Sequence, residues 1–283
     1  MASDVQKIID WLYRRQFASR VYDFDNLLLD GAITLFRKSV LDAHAFVGRN
    51  SNLYWRKLDE RMKEDRASGR SPLFEVFDYT SKRLVWPPAR NSTSHPLKKL
   101  NRRLISRPTY LRSIDKLSPR EYEALPCTII KLTGSRYVHL TPPGNEWGVD
   151  FFGSIENPSQ LSVFNGTRSP IRIVGQCKKY ESKLEVKEVK EFSRTLEALR
   201  NRNPLLEKHV PIWFRTITGP IIPWLVCHSA AQSGALALAK DEGIIVSDSI
   251  DLAECLCFIK KTQGLNSHDK SAFLQKCCQE MIV

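Results

Sequence analysis

The sequence predicts an α/β fold in which a mixed sheet is flanked by helices and preceded by a mainly helical N-terminal region. Two observations support this fold class. In the second half of the chain, short apolar segments alternate with segments of helical periodicity, which is typical of strands joined by crossover helices. In residues 3–66, by contrast, apolar side chains recur at helical spacing alone.

The N-terminal region is expected to be helical from about residue 3 to residue 66. Its last turns, 58–66, are rich in charged residues and are expected to face solvent. A break at Ser68-Gly69 precedes a short strand-like segment, 73–79. We interpret 86–96, which begins with Trp86-Pro87-Pro88, as an irregular linker.

The second half opens with a helix that begins at Pro119. Ser118 is placed to cap it, and Glu121 completes a capping box with Ser118. This helix is expected to end near Leu132, before Gly134. Strands are predicted at 137–140, 148–153, 171–179, 221–227 and 244–246, and helices at 186–200, 230–241 and 252–259. The residues from Thr262 onward are expected to form a separate terminal helix.

Composition excludes several classes of protein. No apolar run approaches the roughly 18 residues of a membrane span, and the Met-Ala-Ser-Asp start has no signal-peptide pattern. The seven cysteines include no C-x-x-C pair, and their odd number argues against a disulfide framework. The scattered histidines make a structural zinc site unexpected. We therefore expect a cytoplasmic protein with no membrane partner.

The net charge of +12, from 43 basic and 31 acidic residues, favours a polyanionic partner, although solubility alone is an alternative explanation. Between Lys98 and Arg120 there are eight basic residues and one acidic residue, without the apolar face of an interfacial membrane helix. We therefore expect DNA phosphates as the partner. The residues expected to bind them are Lys98, Lys99, Arg102, Arg103 and Arg107.

Two predicted strands carry polar residues where a core strand is normally apolar. Gln176 and Lys178 are two residues apart, so their side chains leave the same face, and Asp150 lies in the neighbouring predicted strand. If these strands pair, the three side chains meet at one sheet edge. Carboxylate and amide oxygens suit Mg²⁺, which activates water, and a nearby lysine can orient that water. Taken alone, this spacing fits a purely structural interpretation equally well.

Four segments follow one another in a recognisable order. They are Leu117-Ser118-Pro119 with Tyr122-Glu123, Thr141 through Gly148-Val149-Asp150, Val174-Gly175-Gln176-Cys177-Lys178-Lys179-Tyr180, and Val186-Lys187-Glu188-Val189-Lys190-Glu191-Phe192. In this order the chain from Leu117 onward resembles the Mrr-type restriction endonucleases of the PD-(D/E)xK nuclease superfamily. One extra residue precedes Gln176, and Glu146-Trp147 replaces the usual Asp-Gly.

The resemblance implies a restriction-endonuclease-like sheet and a DNA endonuclease that depends on Mg²⁺, or on Mn²⁺ in its place, in restriction or anti-phage defence. Asp150 would be the main metal ligand, and Gln176 would stand where most members have Glu or Asp. Lys178 would be the catalytic lysine. Glu123 would supply the carboxylate that Gln176 lacks; Glu121 competes with it, but its expected capping role is structural.

Three divisions of the chain follow from these observations. Residues 1–110 are expected to form a mainly helical basic region that binds DNA or a partner, 117–262 the nuclease domain, and 263–283 a helical tail. We expect Lys179 to face solvent or phosphate, and we interpret His228-Ser229 as a turn at a strand end because no acidic residue is near it in sequence.

Two other functions stay open. Because Gln176 is neutral, the domain is alternatively an inactive DNA-binding module on the same fold. Alternatively, it is the nuclease subunit of a defence complex that an ATPase or sensor subunit activates, since the chain has no P-loop of its own. One active centre cuts one strand, so double-strand cleavage would require a homo-oligomer or repeated nicking.

Overall fold

The computed structural model describes residues 3–88, 104–144, 147–155, 170–180 and 182–282. The chain forms two compact units, Met1–Thr109 and Tyr110–Val283. None of the helices in the described ranges is long and apolar enough to cross a membrane.

The N-terminal unit combines helices with a small antiparallel sheet. Its helices are α1 (Asp4–Arg14), α2 (Phe24–Phe36) and α3 (Val40–Ala67). Each begins after a polar residue, Ser3, Asp23 or Ser39, whose side-chain oxygen accepts a hydrogen bond from a main-chain N–H of the first turn. The strands β1 (Arg20–Asp23), β2 (Glu75–Asp78) and β3 (Arg83–Trp86) pair in the order β1-β3-β2.

Three predictions for this unit are wrong. The region is not uniformly helical, because β1 interrupts it, and Trp86 belongs to β3 rather than to a linker. Strands of four residues are too short to show a clear alternation of apolar and polar side chains. The segment 58–66 also does not simply face solvent, since Asp65 is 1% exposed and accepts hydrogen bonds from Tyr13 and Arg61.

The second unit is built on a mixed sheet of five strands in the order β4-β5-β6-β7-β8. The strands are β4 (Val138–Leu140), β5 (Phe151–Ile155), β6 (Ile171–Lys178), β7 (Ile221–Cys227) and β8 (Ile245–Ser247). The pairs β4–β5 and β5–β6 are antiparallel, whereas β6–β7 and β7–β8 are parallel. The predicted mixed sheet with a parallel part is confirmed.

Helices flank this sheet. They are α4 (Arg107–Lys116), α5 (Pro119–Leu132), α6 (Val186–Arg200), α7 (Pro204–Glu207), α8 (Ile212–Thr216), α9 (Ser233–Asp241), α10 (Ser249–Phe258) and α11 (Ser267–Ile282), with a 3-10 turn at Lys260–Thr262. The bounds of α5 and α6 agree with those predicted from the sequence. The capping box of α5 is also present, formed by Ser118 and Glu121.

The last helix, α11, is packed on α5 and belongs to the second unit, so the expected tail 263–283 is not separate from it. Gln279 Nε2 donates to Glu121 Oε1 over 3.2 Å, and Thr128 Oγ1 lies 3.4 Å from the carbonyl oxygen of Cys277. Leu274 and Cys278 of α11 are buried. This helix therefore packs against α5 and stabilises its position.

The core on one face of the sheet joins β5, β6 and β7 to α6 and α9. Phe152, Val174 and Leu225 are fully buried there with Val189 and Phe192 of α6. Because Val174 of β6 is packed in this core, β6 is fixed between β5 and β7, and the positions of the residues at its end are fixed with it.

On the other face the Phe151 ring crosses the backbone of β6 at Gly175. A Cβ atom at Gly175 would lie 2.0 Å from a ring carbon of Phe151, a distance that no side chain tolerates. Phe151 and Gly175 are direct partners in the β5–β6 register. The extra residue before Gln176 is thus a glycine because the ring fills the space above it.

Candidate active site

Asp150 lies immediately before β5, where main-chain hydrogen bonds already pair it with β6. Its N–H donates to the carbonyl oxygen of Gly175 over 2.9 Å. Its carboxylate oxygen Oδ2 accepts a hydrogen bond of 2.6 Å from the main-chain N–H of Cys177. The position and orientation of this carboxylate are therefore set by the pairing of β5 with β6.

The charged groups around Asp150 act on its pKa in opposite directions. Burial raises the pKa of this carboxyl to about 6, and the nearby Glu123 carboxylate adds to the rise. The hydrogen bond from Cys177 and the positive charges of Lys178 and Arg120 oppose that rise. Glu123, Lys178 and Arg120 therefore all lie within electrostatic range of Asp150.

Gln176 follows on β6 and is 8% exposed. Its Oε1 is a buried acceptor with no hydrogen-bond partner in the described part of the chain, whereas buried side-chain oxygens are nearly always paired. Its Nε2 lies against Gly148, where an added Cβ atom would be 3.0 Å away and where φ is +67°. Gly148 thus leaves room for the Gln176 amide at this edge of the sheet.

Lys178 ends β6 and is half-buried. It leaves the same face of the strand as Gln176, two residues before it, and its charge acts on Asp150. Cys177 points to the opposite face, where its Sγ is 3.9 Å from the carbonyl oxygen of Glu123. Asp150, Gln176 and Lys178 are therefore brought together at the end of β6.

Glu123 lies on α5 and is tied to a residue that the sequence analysis missed. Its Oε2 accepts a hydrogen bond of 2.7 Å from Nη1 of Arg120, three residues earlier on the helix. Nη2 of Arg120 donates to the carbonyl oxygen of Thr141 over 2.5 Å. The i,i+3 spacing of Arg120 and Glu123 was the one signal for this pair in the sequence.

Glu121 has the structural role predicted for it. Its Oε2 accepts from the N–H of Ser118 over 2.8 Å, while its own N–H donates to the Ser118 hydroxyl over 3.2 Å. The hydrogen bond from the Ser118 N–H holds the pKa of Glu121 below its usual range. This carboxylate caps α5 and is not part of the group around Asp150.

The structure corrects two of the expected DNA contacts. Arg107 is 3% exposed, and its Nη1 donates to the carbonyl oxygen of Ser71 over 2.7 Å, so its guanidinium does not face a phosphate. The Lys179 ammonium donates to the carbonyl oxygen of Leu117 and lies 3.5 Å from the carbonyl oxygen of Asp115. Lys179 therefore caps the C-terminus of α4 and does not face solvent or a phosphate. The other expected contacts, Lys98, Lys99, Arg102 and Arg103, lie outside the described residues.

His228 has an acidic partner that its sequence neighbours did not reveal. Its Nε2 is 3.1 Å from Oδ1 of Asp115, a residue of α4. Its main-chain N–H donates to the carbonyl oxygen of Lys178 over 2.9 Å. His228 therefore follows the end of β7 next to Lys178, as the predicted strand-end turn implied, and also ties α4 to this edge of the sheet.

Among the residues that the structure describes, no group of three or more His, Cys, Asp or Glu side chains is arranged to hold a metal ion. The site around Asp150 instead offers the carboxylates of Asp150 and Glu123 and the amide oxygen of Gln176. All of these donors are oxygen atoms, the type that Mg²⁺ and Mn²⁺ prefer.

Residues 114–206 match the model of a family described as restriction endonuclease, the Mrr catalytic domain. The Mrr-type resemblance is confirmed for this segment. The match includes Glu123, Asp150, Gln176 and Lys178, and it ends within α7. The comparison with curated proteins gives no match.

Two solved structures are similar to the chain. "MspJI Restriction Endonuclease in Complex with 27-mer Oligonucleotide" is 15% identical with a TM-score of 0.42, covering 75% of this chain and 40% of that one. "DNA modification-dependent restriction endonuclease AspBHI" is 18% identical with a TM-score of 0.42, covering 76% of this chain and 47% of that one. The chain thus spans less than half the length of either protein.

Proposed function

We propose that the chain is a metal-dependent DNA endonuclease that hydrolyses phosphodiester bonds at Asp150, Gln176 and Lys178. One observation carries this proposal: the Oε1 atom of Gln176, on the strand end that also carries Lys178, is a buried acceptor with no hydrogen-bond partner among the described residues. The segment that contains it matches a restriction endonuclease family. A structural role alone would leave this buried oxygen without a partner.

The donor set fits a hard divalent cation. The Asp150 carboxylate and the Gln176 amide oxygen are the first candidates, and Glu123 supplies a second negative charge. A cation at this point would give Gln176 Oε1 the partner it lacks among the described residues. When bound, such an ion lowers the pKa of coordinated water and stabilises the charge that develops on the phosphodiester.

The chain's own side chains have separate tasks in this reaction. The Cys177 N–H fixes the orientation of the Asp150 carboxylate. The Lys178 ammonium, at the end of β6, donates hydrogen bonds to the attacking water or to a phosphate oxygen. The burial of Gln176 keeps bulk water from screening these charges.

Plasmid cleavage tests the proposal. Supercoiled DNA is incubated with Mg²⁺, with Mn²⁺ or with a chelator, and with wild type, Lys178→Ala or Asp150→Ala. We expect nicking that requires the metal and is lost in both variants. Lys276→Ala, on the exposed side of α11, is the control and should cut like wild type. Undiminished cleavage by both site variants would reject the proposal.

A DNA-binding module without turnover is the second candidate function. It is favoured by the neutral Gln176 and by the Arg120–Glu123 ion pair, which together reduce the negative charge offered to a cation. Fluorescence anisotropy with labelled DNA in chelator distinguishes the two functions. Strong, salt-sensitive binding with no cleavage at any metal concentration would support this candidate.

We place this activity in restriction or anti-phage defence, which the description of the matched family supports. Cleavage that appears only with a co-purified ATPase or sensor subunit would instead identify the chain as the nuclease subunit of a larger complex. Double-strand breaks would require a dimer or repeated nicking, because one centre cuts one strand. Light scattering of the protein bound to a linear DNA substrate measures its oligomeric state.

A further inference from the structure

Arg120 connects two parts of the proposed site. It is the second residue of α5, and its side chain is 24% exposed. Its guanidinium makes two charge-assisted hydrogen bonds, one to the Glu123 carboxylate over 2.7 Å and one to the Thr141 carbonyl over 2.5 Å. The first acceptor, Glu123, is itself a proposed metal ligand, and the second, Thr141, is hydrogen-bonded to Asp150.

Thr141 carries the second connection to Asp150. It is 1% exposed, and its N–H donates to the carbonyl oxygen of Asp150 over 2.9 Å. Its hydroxyl lies 2.9 Å from the carbonyl of Val149 and 3.0 Å from that of Asp150. Arg120 is thus hydrogen-bonded directly to Glu123, and through Thr141 it is connected to the main chain of Asp150.

The positive charge of Arg120 also acts on the Asp150 carboxyl group. The Glu123 carboxylate raises the pKa of Asp150, and the Arg120 guanidinium next to them opposes this effect. A planar guanidinium presents two donors in a fixed fork, which matches two acceptors on different segments. The single ammonium of a lysine holds two such acceptors less rigidly.

We infer that Arg120 is a positioning residue that holds Glu123 and the Thr141–Asp150 connection so that both carboxylates meet one divalent cation. This inference rests on the proposed function. Groups that orient metal ligands typically contribute about 10- to 100-fold to metal affinity. Removal of Arg120 should therefore weaken metal binding although Arg120 itself carries no ligand atom.

Calorimetric titration with Mn²⁺, in the full chain without DNA, measures this contribution directly. We expect Arg120→Ala and Arg120→Gln to weaken Mn²⁺ binding by about tenfold or more, and Arg120→Lys to restore part of the loss. In cleavage assays the half-saturating metal concentration should rise more than the rate at saturating metal falls. Lys187→Ala, which removes an exposed ion pair with Glu191, is the matched control and should leave Mn²⁺ affinity unchanged.

A double-mutant cycle with Glu123 separates positioning from general stability. If Arg120 acts through Glu123, then Arg120→Ala should weaken binding by only about twofold when Glu123 is already Ala. A full loss in that background assigns the effect to the Thr141–Asp150 connection instead, and unchanged affinity in both Arg120→Ala and Arg120→Gln overturns the inference. Thermal melting identifies any variant that is unfolded, and the Arg120→Gln variant keeps most of the side-chain volume.

The same titration distinguishes the two levels of the proposal. Failure of wild type to bind Mn²⁺ overturns the proposed function and this inference together. Wild-type binding that persists in both Arg120 variants overturns the inference alone.

Discussion

The N–H of Cys177 donates to Oδ2 of Asp150 over 2.6 Å, so the segment that carries Asp150 is joined to β6, which carries Gln176, by a hydrogen bond to the Asp150 carboxylate itself. Because Cys177 lies between Gln176 and Lys178, this one bond sets the position of Asp150 relative to both. Asp150 stands before β5 and the other two stand on β6, so correct pairing of these strands assembles the centre.

Replacement of Asp150 by Asn separates its charge from its structural contact. The Asn oxygen still accepts from the Cys177 N–H, so the fold should persist. Loss of the carboxylate removes the main charge that faces the cation. We expect cleavage to fall by about a hundredfold or more and the melting temperature to stay at or above that of wild type. A melting temperature well below that of wild type would contradict this account.

The raised pKa of Asp150 makes metal binding depend on pH. The folded, metal-free carboxyl has a pKa of about 6, so protons compete with the cation as pH falls through that value. Mn²⁺ affinity should fall between about pH 7 and pH 5, and this part of the pH dependence should vanish in Asp150→Asn. Calorimetric titrations at several pH values measure it.

The same shift has the opposite sign for stability. Since the folded pKa is above the unfolded value of about 3.9, the Asp150 contribution to the free energy of unfolding is largest below that unfolded value. It is lost as pH rises through about 6. Denaturant titrations of the metal-free protein should show this in wild type and not in Asp150→Asn.

The crossing of Phe151 over Gly175 predicts a strong effect of a single methyl group. An alanine at position 175 would place its Cβ 2.0 Å from the ring, which forces β5 and β6 apart. We expect Gly175→Ala to destabilise the protein by about 1–3 kcal/mol and to reduce cleavage. Gly48→Ala, on α3, is the control, because a Cβ atom there meets nothing within 4 Å. This substitution should stabilise the protein by up to about 1 kcal/mol. Equal melting temperatures for the two variants would refute the prediction.

Lys179 should contribute to stability rather than to DNA affinity. Its ammonium caps the last carbonyls of α4, so Lys179→Ala should lower stability by about 1 kcal/mol or more. The salt dependence of DNA binding should stay as in wild type, since each lost phosphate contact reduces its slope by about one. A reduced slope without any loss of stability would restore the original assignment of Lys179 to DNA.

The features that the sequence predicted well are determined locally. The cap of α5 depends on Ser118, Pro119 and Glu121, which are neighbours in the chain. The shared face of Gln176 and Lys178 follows from the twofold period of any strand. Both could therefore be predicted without knowledge of the rest of the molecule.

The features that the sequence did not reveal depend on distant parts of the chain. Nothing next to Arg107 indicates that it is buried and bound to the carbonyl of Ser71. Asp115 and His228 are 113 residues apart, and only the folded chain brings them within 3.1 Å. The role of Arg120 is of the same kind, since its second acceptor, Thr141, lies beyond the end of α5.

Gln176 also determines the electrical balance of the centre. The carboxylates of Asp150 and Glu123 face two cations, Lys178 and Arg120, so these four charges cancel. A divalent cation therefore enters a neutral group and gives it a surplus of positive charge, which attracts a phosphodiester. The ion and the DNA should consequently bind cooperatively, so that Mn²⁺ affinity measured without DNA rises when DNA is present, whereas an acid at position 176 would reduce this dependence on DNA.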